Sequence, residues 1–585
     1  MFFTRAREGG EQPVLWRRGS GGWEALSWGE TARQVAAFAT ALRARGIAPG
    51  DRVAIVSENR PEFAIADLAI MAAGAVTVPT YTTNTVRDHL HVLQNSGARA
   101  VIVSTARLAR GVVEAALQAD RCRLVIGMEP LRRPQQAPLD FAQMDELIRD
   151  HPTDPERVAA AATMTRRDLA CLIYTSGTGG RPRGVRQHHG AILHNVEGCI
   201  EILRSDFPDT GRERFLSFLP VSHAYEHTAG QFLPLALGAE IFYAEGLDRL
   251  AANIEEVGPT IMIVVPRLFE VLRARMLKTI EKQGGLAPRL LDAALRLARR
   301  RQAGGRLGLL DWPLDLVVER TLRRRVGARL GGRLKAMVSG GAPLNPEVGL
   351  FFQALGVTIL QGYGQTEAGP VISCNRPAAR IKLHTVGPPL QDTHVEIAED
   401  GEICVAGELV MQGYWENPED TAQVLVDGLL RTGDIGHIDE DGHIVITDRK
   451  KDIIVNDKGE NIAPQKIEGM LTLQPEIAQA MVYGDRRPHL VGVVVPDPEF
   501  LAEWANDRGL SPEAARHHPD LLRAVQAAVD RVNAELSVTE KVRRVILADA
   551  PFSVENGQLT PSLKIRRHVL RQVYGARLEA LYGSA

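Results

Sequence analysis

The segment CLIYTSGTGGRPRGVRQHHGAI, residues 171–192, decides how this chain folds. An apolar, strand-like run leads into a loop rich in glycine and hydroxyl side chains, and a helical pattern resumes after it. Glycines let a backbone approach an anion closely, hydroxyls can donate to its oxygens, and Arg183 adds a fixed positive charge. The pattern G-x-x-x-x-G-K-[ST] is absent, so this is not a Walker A loop. Its place between a buried strand and a helix favours phosphate binding over an ordinary surface loop.

Short β-branched runs alternate with helical-period segments on both sides of this loop. The strand candidates begin at Arg52, Ala98, Cys122, Thr260 and Leu334, and amphipathic stretches begin at Glu62 and Arg107. Such alternation predicts βαβ units around mainly parallel sheets, which is an α/β fold. No repeat with a period of 20–50 residues is apparent, which argues against a solenoid.

The composition is that of a globular enzyme with more than one packed unit. The chain has 585 residues, 45% of them hydrophobic and 24% charged, and its 69 Lys/Arg and 71 Asp/Glu give a net charge of −2. These values exclude wholesale disorder and remove the strongest argument for a nucleic-acid partner. The five cysteines are scattered, so neither a disulfide framework nor a structural zinc site is expected. MFFTRAREGGEQP has no long apolar run, so we expect no secretory signal and a cytoplasmic location.

A change of pattern near residue 434 indicates a second domain. A Gly/Asp turn, a hairpin strand and a charged junction at 449–452 come before a separate α/β set with its own strands and a long helix near 520–536. A compact charged segment between two self-sufficient cores is a natural hinge. We therefore predict a large multi-subdomain domain over residues 1–450 and a small mobile α/β domain over residues 451–585.

The loop after residue 173 resembles the phosphate-binding motif Y-T-S-G-T-T-G-x-P-K-G of the adenylate-forming superfamily, which includes acyl-CoA synthetases, luciferases and peptide-synthetase adenylation domains. Two positions depart from it, with Gly179 for the second Thr and Arg183 for Lys. The resemblance implies that the loop binds ATP through residues Tyr174, Thr175, Ser176, Gly177, Thr178, Gly179, Gly180 and Arg183.

Six further motifs follow in the family's order, and the resemblance spans residues 53–567. They are FLPVSHAYEH from Phe218, VSGGAPLNPE from Val338, LQGYGQTEAGP from Leu360, LLRTGDIGHI from Leu429, DRKKDIIV from Asp448 and LTPSLKIRR from Leu559. Seven motifs in order make coincidence very unlikely. A third departure, His227 in place of Arg, falls at the expected edge of the acyl pocket.

The resemblance assigns a role to individual residues of these motifs. His223 would lie at the acyl carboxylate, Glu367 and Thr178 would hold Mg²⁺, Asp434 would bind the ribose hydroxyls, and Lys564 would be the catalytic lysine. A carboxylate at the end of a Gly-rich turn suits a hard cation such as Mg²⁺. The remaining nucleotide contacts would come from Gly341, Ala342, Pro343, Gly362, Tyr363, Gly364, Thr366 and Arg449, with Lys451 as the hinge residue.

The implied function is an ATP-dependent acid–thiol ligase that forms an acyl-adenylate and transfers the acyl group to coenzyme A. Residues 312–344 resemble an insertion typical of long-chain fatty acyl-CoA synthetases, and PTYTTNT, SHAYEH and VVPRLFE also resemble that long-chain branch. A medium- to long-chain fatty acid is therefore the favoured substrate. Two alternatives stay open: a ligase that delivers the adenylate to a carrier protein, and a catalytically silent acyl or nucleotide sensor. A monomer and a homodimer are both compatible with the sequence.

The segment 289–335 is strongly basic, with 13 Lys/Arg against four acids and Trp312 among its leucines. A solvated helical hairpin is the simpler interpretation. The functional alternative is peripheral contact with the inner face of a membrane, because basic amphipathic helices attract anionic lipid.

Overall fold

The computed structural model describes residues 1–132, 138–175, 181–208, 211–304, 308, 311–560 and 564–583. The described part divides into two compact units. The first comprises residues 1–396, 404–432 and 438–445, and the second comprises residues 397–403, 433–437 and 446–585. Both are α/β, which confirms the predicted fold class. The domain boundary at residue 451 stays a prediction.

The first unit contains most of the regular structure. Its strands are β1 Pro13–Gly19, β2 Gly22–Ser27, β3 Arg52–Val56, β4 Val76–Thr80, β5 Ala100–Val103, β6 Leu124–Gly127, β7 Asp140–Gln143, β8 Leu169–Thr175, β9 Arg183–His188, β10 Arg214–Ser217, β11 Glu240–Tyr243, β12 Ile261–Val264, β13 Ala336–Ser339, β14 Ile359–Gly364 and β15 Val371–Cys374. Its helices are α1 Phe2–Gly9, α2 Trp28–Ala44, α3 Pro61–Ala72, α4 Val86–Ser96, α5 Ala106–Gln118, α6 Met144–Asp150, α7 Pro155–Ala160, α8 His189–Asp206, α9 Leu233–Leu237, α10 Leu250–Val257, α11 Pro266–Gln283, α12 Ala287–Gln302, α13 Asp311–Val318, α14 Arg324–Arg329 and α15 Pro346–Ala354. Two π-helical turns cover Glu226–Phe232 and Glu319–Arg323.

One sheet of the first unit has the order β7-β6-β5-β3-β4-β8-β9. Its strands pair in parallel apart from the antiparallel pair β8 and β9. Alternate residues of one strand enter different cores: Val53 and Ile55 join one buried cluster, and Ala54 and Val56 join another. Burial of both faces explains why these strands are continuous apolar runs in the sequence, as parallel sheets require.

The other sheet of the first unit has the order β15-β14-β13-β12-β10-β11-β1-β2. Its strands are parallel between β1 and β14, with the antiparallel strands β2 and β15 at its two edges. All five strand candidates from the sequence fall in these two sheets, as β3, β5, β6, β12 and β13. The mainly parallel architecture is therefore confirmed.

The glycine-rich loop leads into a strand, although the sequence predicts a helix directly after it. The loop connects β8 to β9, and α8 begins only at His189. It therefore joins two antiparallel strands and does not lead from a strand into a helix. Strand β9 contains polar residues such as Arg186 and Gln187, so it lacks the apolar run that indicates a buried strand. Its backbone nevertheless pairs with β8 along its length.

The basic segment 289–335 forms the predicted helical hairpin. Helix α12 packs against α13, and the π-helical turn Glu319–Arg323 joins α13 to α14. Ion pairs of Arg300 with Asp311 and of Arg301 with Asp315 link α12 to α13.

The region after β15 supplies strands to both units, and the second unit completes the chain. In this region lie β16 His394–Ile397, β17 Glu402–Ala406, α16 Pro418–Val424, β18 Leu425–Val426, β19 Leu429–Ile438 and β20 Ile444–Arg449. The second unit then contains β21 Ile454–Val455, β22 Asn461–Ile462, α17 Pro464–Leu471, β23 Ile477–Tyr483, β24 Leu490–Pro496, α18 Pro498–Asn506, α19 Pro512–Arg516, α20 Pro519–Asn533, β25 Val542–Leu547 and α21 Arg567–Ala580. Strands β23, β24 and β25 form its three-stranded sheet.

None of the helices in the described ranges is long and apolar enough to cross a bilayer. All five cysteines are free thiols.

Candidate functional site

The phosphate loop leaves the first sheet at the end of β8. The Tyr174 ring is buried, and its hydroxyl donates to Asn95 Oδ1 at 2.7 Å. Any contact of Tyr174 with a nucleotide must therefore come from its backbone. Thr175 ends the strand. The predicted ligands Ser176, Gly177, Thr178, Gly179 and Gly180 lie outside the described residues.

Arg183, which the sequence suggests as a phosphate ligand, is engaged inside the protein. Its Nη1 donates to Asp420 Oδ2 at 2.9 Å, and its guanidinium lies 4.2 Å from the centre of the Tyr414 ring. A guanidinium can stack on a ring and pair with a carboxylate at the same time, which an ammonium does poorly. The charge of Arg183 is thus shared with Asp420.

Glu367 lies in a short 3₁₀ turn, Thr366–Ala368, that follows β14. Tyr414 donates its hydroxyl to Glu367 Oε1 at 2.8 Å. Gln187 of β9 donates to the carbonyl oxygen of Thr366 at 2.7 Å, which ties the return strand of the phosphate loop to this turn. Burial, followed by the charge of Glu367, raises the pKa of Tyr414, so its hydroxyl remains a donor at neutral pH.

The donor set around Glu367 fits a magnesium ion that is bound together with a nucleotide. Across the residues that the structure describes, no group of three or more His, Cys, Asp or Glu side chains could hold a metal by itself. Mg²⁺ commonly binds one or two carboxylates and completes its shell with substrate phosphates and water. A single carboxylate meets that requirement if a bound nucleotide supplies phosphate oxygens.

The glycine-rich wall begins where β13 ends, and a tyrosine packs beneath it. Tyr225 donates its hydroxyl to the carbonyl oxygen of Val338 at 2.8 Å. A Cβ at Gly340 would lie 2.7 Å from the Tyr225 ring, so this position requires glycine. Gly341 has φ +82°, after which Ala342 and Pro343 continue the loop. Because β13 and β14 are parallel neighbours, the glycine-rich wall and the Glu367 turn both follow the carboxyl ends of strands on the same side of the sheet.

The predicted adenine-binding motif forms β14 itself. Gly362, Tyr363 and Gly364 are its last three residues, and Tyr363 is largely buried. A Cβ at Gly364 would collide with the backbone of Pro370, so the strand can pass that point only as glycine.

His223 stands between β10 and the first π-helical turn. The backbone N–H of Tyr225 donates to His223 Nδ1 at 3.2 Å, and the backbone N–H of His227 donates to the carbonyl oxygen of His223 at 2.9 Å. When the imidazole is neutral, an accepting Nδ1 leaves the proton on Nε2. Nε2–H is then a donor suited to a carboxylate.

A buried polar cluster behind His223 was missed by sequence reasoning. His227 Nε2 lies 2.9 Å from Asp67 Oδ2, Gln231 donates to the same oxygen, and all three side chains are buried. Glu226 accepts from the Ser217 hydroxyl at 2.6 Å, and burial raises its pKa to about 8. His227 therefore holds the π-helical turn on α3. The departure from Arg at that position was the available signal.

The second unit brings together two predicted ribose ligands. Asp434 of β19 is buried, and its Oδ1 lies 3.3 Å from Arg449 Nε at the end of β20. Lys451 is exposed in the turn that follows β20. The predicted hinge motif therefore lies where β20 ends.

Lys564 is linked to Thr560 by two hydrogen bonds. The Thr560 N–H donates to the Lys564 carbonyl oxygen at 2.8 Å, and the Lys564 N–H donates to Thr560 Oγ1 at 3.0 Å. Three residues further on, Arg567 donates to the buried Glu468 at 2.8 Å and lies 3.8 Å from Asp452. The segment that carries the lysine is therefore linked by charge to the segment after Lys451.

The fold and these sites define a class of protein. The family described as "AMP-binding enzyme" matches residues 2–415, and "AMP-binding enzyme C-terminal domain" matches residues 451–585. The chain belongs to the AMP-binding enzyme family, which confirms the resemblance found in the sequence.

Curated relatives match over nearly the whole chain. The long-chain-fatty-acid–CoA ligase FadD15 of Mycobacterium tuberculosis is 34% identical, with 100% of this chain and 96% of the relative covered. The peroxisomal long chain acyl-CoA synthetase 6 of Arabidopsis thaliana is 31% identical, covering 96% of this chain and 82% of the relative.

Solved structures share the fold at lower identity. The adenylation domain of a carboxylate reductase from Mycobacterium chelonae has a TM-score of 0.75 at 24% identity, covering 100% of this chain and 90% of that one. A benzoate CoA ligase from Burkholderia xenovorans has a TM-score of 0.71 at 22% identity, covering 97% and 98%.

Proposed function

We propose that this chain is an ATP-dependent acyl-CoA synthetase. In the first step a carboxylate oxygen attacks the α-phosphorus of ATP, the bond to the β-phosphate breaks, and pyrophosphate leaves. In the second step the thiol sulfur of CoA attacks the acyl carbon, AMP leaves with the bonding electron pair, and the thiol proton passes to solvent. The observation that carries the proposal is 34% identity along the full chain to a long-chain-fatty-acid–CoA ligase.

The residues provide the positive charge and the N–H donors that the first step needs around an anionic phosphate. An anionic carboxylate and an anionic phosphate repel each other, so a preorganised environment lowers the barrier. His223 Nε2–H would orient the acid, and Lys564 would meet the charge that develops at the α-phosphate. Asp434 would accept from the ribose hydroxyls, and Arg449 lies beside it.

Mg²⁺ is proposed as the metal cofactor, held by Glu367 and Thr178. When bound, the cation screens the negative charge of the phosphates. Glu367 supplies an anionic oxygen at the end of the 3₁₀ turn, and Gln187 fixes that turn to β9. These contacts would hold the proposed cation ligand in a fixed position relative to β9.

A fatty acid of medium to long chain is the proposed substrate class, and the cytoplasm the proposed location. Support for the substrate comes from the helical segment after residue 312, which resembles the long-chain insertion, and from the names of the curated relatives. The domain boundary at residue 451, with Lys451 as hinge, belongs to the same proposal. Rotation there would exchange Lys564 for another face between the two steps.

The experiment that tests this proposal measures AMP release across short-chain, long-chain and aryl acids, with and without CoA. We expect AMP and acyl-CoA in equal amounts, with long-chain acids preferred. The first alternative is a ligase that delivers the adenylate to a carrier protein. AMP release that does not respond to free CoA would favour that alternative, and no AMP release from any acid would favour the sensor.

Peripheral membrane contact is proposed for the outer face of α13 and α14. Trp312, Leu316 and Val317 are 72%, 49% and 48% exposed on α13. Five arginines come after them, and among the described residues their side chains make no ion pair or hydrogen bond: Arg320, Arg324, Arg325, Arg329 and Arg333. Exposed apolar side chains beside unpaired positive charge complement an anionic bilayer surface.

Arg324 and Arg325 are exposed after the π-helical turn, as Trp312 and Leu316 are before it.

Vesicle sedimentation tests this contact. Vesicles with 30% anionic phosphatidylglycerol should bind the protein, and Trp312→Ser/Leu316→Ser should reduce binding severalfold. The control Leu247→Ser/Val538→Ser removes two exposed apolar side chains from other surfaces and should bind like the wild type. Equal binding by both double variants would contradict the proposed surface.

A further inference from the structure

Tyr414 connects two parts of the candidate site that are far apart in the sequence. Its ring is 5% exposed, with the Arg183 guanidinium stacked on it and its hydroxyl donated to Glu367. Arg183 begins the strand that returns from the phosphate loop, and Glu367 is the proposed magnesium ligand. One tyrosine therefore contacts both the start of β9 and the carboxylate.

The backbone around Tyr414 is fixed independently of its hydroxyl. The Tyr414 N–H donates to Thr421 Oγ1 at 2.9 Å, and the Trp415 N–H donates to the carbonyl oxygen of Gly184 at 2.7 Å. Trp415 also donates from its ring to the carbonyl oxygen of Asn95 at 3.0 Å. Loss of the Tyr414 hydroxyl should therefore leave the segment in place.

The two oxygens of Glu367 have different surroundings. Oε1 accepts from Tyr414 at 2.8 Å. Among the described residues, none donates to Oε2. A carboxylate held by one oxygen has a fixed orientation for the other, and such outer hydrogen bonds commonly determine how well a ligand binds metal.

We propose that Tyr414 is a positioning residue that orients Glu367 so that Oε2 meets a divalent cation bound with the nucleotide phosphates, and that Arg183 acts by holding the Tyr414 ring. This inference rests on the proposed function. It also explains the departure from lysine in the phosphate-loop motif, because the arginine side chain both stacks on the ring and bonds Asp420.

The test is a binding measurement, Mn²⁺ electron paramagnetic resonance titration of the full chain with α,β-methylene-ATP, which cannot be cleaved at the reacting bond. Tyr414→Phe should weaken Mn²⁺ binding in this complex by about tenfold or more. Glu367→Gln should weaken it at least as much. Tyr582→Phe is the matched control, because its hydroxyl donates to the carbonyl oxygen of His489, and it should titrate like the wild type.

The outcomes separate the inference from the function on which it rests. Wild-type Mn²⁺ binding by Tyr414→Phe together with weakened binding by Glu367→Gln would overturn the positioning role alone. Wild-type binding by Glu367→Gln would overturn the metal assignment and the inference with it.

Arg183→Met separates the two possible roles of that side chain. If it acts through the ring, the variant should weaken Mn²⁺ binding and leave nucleotide binding in EDTA unchanged. If instead nucleotide binding in EDTA falls, Arg183 contacts phosphate, and its assigned role is wrong.

Discussion

Replacement of Arg567 by Met tests the charge cluster that joins the Lys564 segment to the rest of the second unit. Arg567 donates to Glu468 Oε1 at 2.8 Å, and both side chains are largely buried. Burial raises the pKa of Glu468, and the arginine opposes that effect. Removing one partner of a buried pair costs about 3–5 kcal/mol, because the other charge is left uncompensated. A loss of that size is a large fraction of an ordinary domain's stability.

The loss should depend on pH in a definite direction. Without Arg567 the native state holds Glu468 protonated to a higher pH than the unfolded chain does. Stability is therefore retained at low pH and falls as the pH rises through the folded pKa. The destabilisation should be larger at pH 8 than at pH 5. In Arg567→Met/Glu468→Gln the charge of Glu468 is removed together with that of its partner, and the amide can still accept from the Val482 N–H, so most of the loss should be recovered.

Hydrogen exchange followed by mass spectrometry on the full chain measures this loss of stability, in peptides that cover α17 and β23. Arg577→Met is the matched control: its partner Asp549 is exposed, so the loss should stay below about 1 kcal/mol. A loss below about 1 kcal/mol for Arg567→Met, or a double variant no more stable than the single one, would refute the reasoning.

Three further predictions concern the candidate site. Lys564→Ala should lower acyl-AMP formation by orders of magnitude and spare thioester formation from pre-made acyl-AMP. Lys451→Pro should instead impair thioester formation and spare acyl-AMP formation, because proline fixes the hinge φ near roughly −65°. Equal losses in both steps would count against domain alternation. Glu226→Gln should keep kcat/KM at pH 7, because the buried acid with its pKa of about 8 is already protonated. The same variant should flatten the fall of Tm between about pH 5 and pH 8. An unchanged Tm profile would contradict this prediction. Gly340→Ala should raise the KM for the acid at least about fivefold, since overpacking against Tyr225 costs ~1 kcal/mol or more; an unchanged KM would show that the wall can move.

The parallel sheets could be predicted because their strands carry their own signal. Strands such as β3 are buried on both faces, so successive residues are apolar and the run is visible in the sequence. Strand β9 could not be predicted in this way, because its polar side chains find partners elsewhere, as Gln187 does at the Thr366 carbonyl oxygen. Its strand character comes from pairing with β8.

The positions of the motifs could be predicted, but their side-chain partners could not. Arg183 looks like a phosphate ligand in its local sequence, and only the fold brings Tyr414 and Asp420 to it from more than 200 residues away. Likewise the partner of His227 is Asp67, 160 residues earlier, on α3. Local patterns cannot indicate such pairings, because tertiary packing creates them.

The central claim is that the acid is activated as an acyl-adenylate, and transfer of oxygen isotope tests it most directly. The protein is given a fatty acid with ¹⁸O in both carboxyl positions, together with unlabelled ATP, Mg²⁺ and CoA, and the products are analysed by mass spectrometry. Attack of the carboxylate on the α-phosphorus predicts one ¹⁸O in each AMP, one in the acyl-CoA and none in pyrophosphate. Unlabelled AMP, or ¹⁸O in inorganic phosphate or pyrophosphate, would contradict the account.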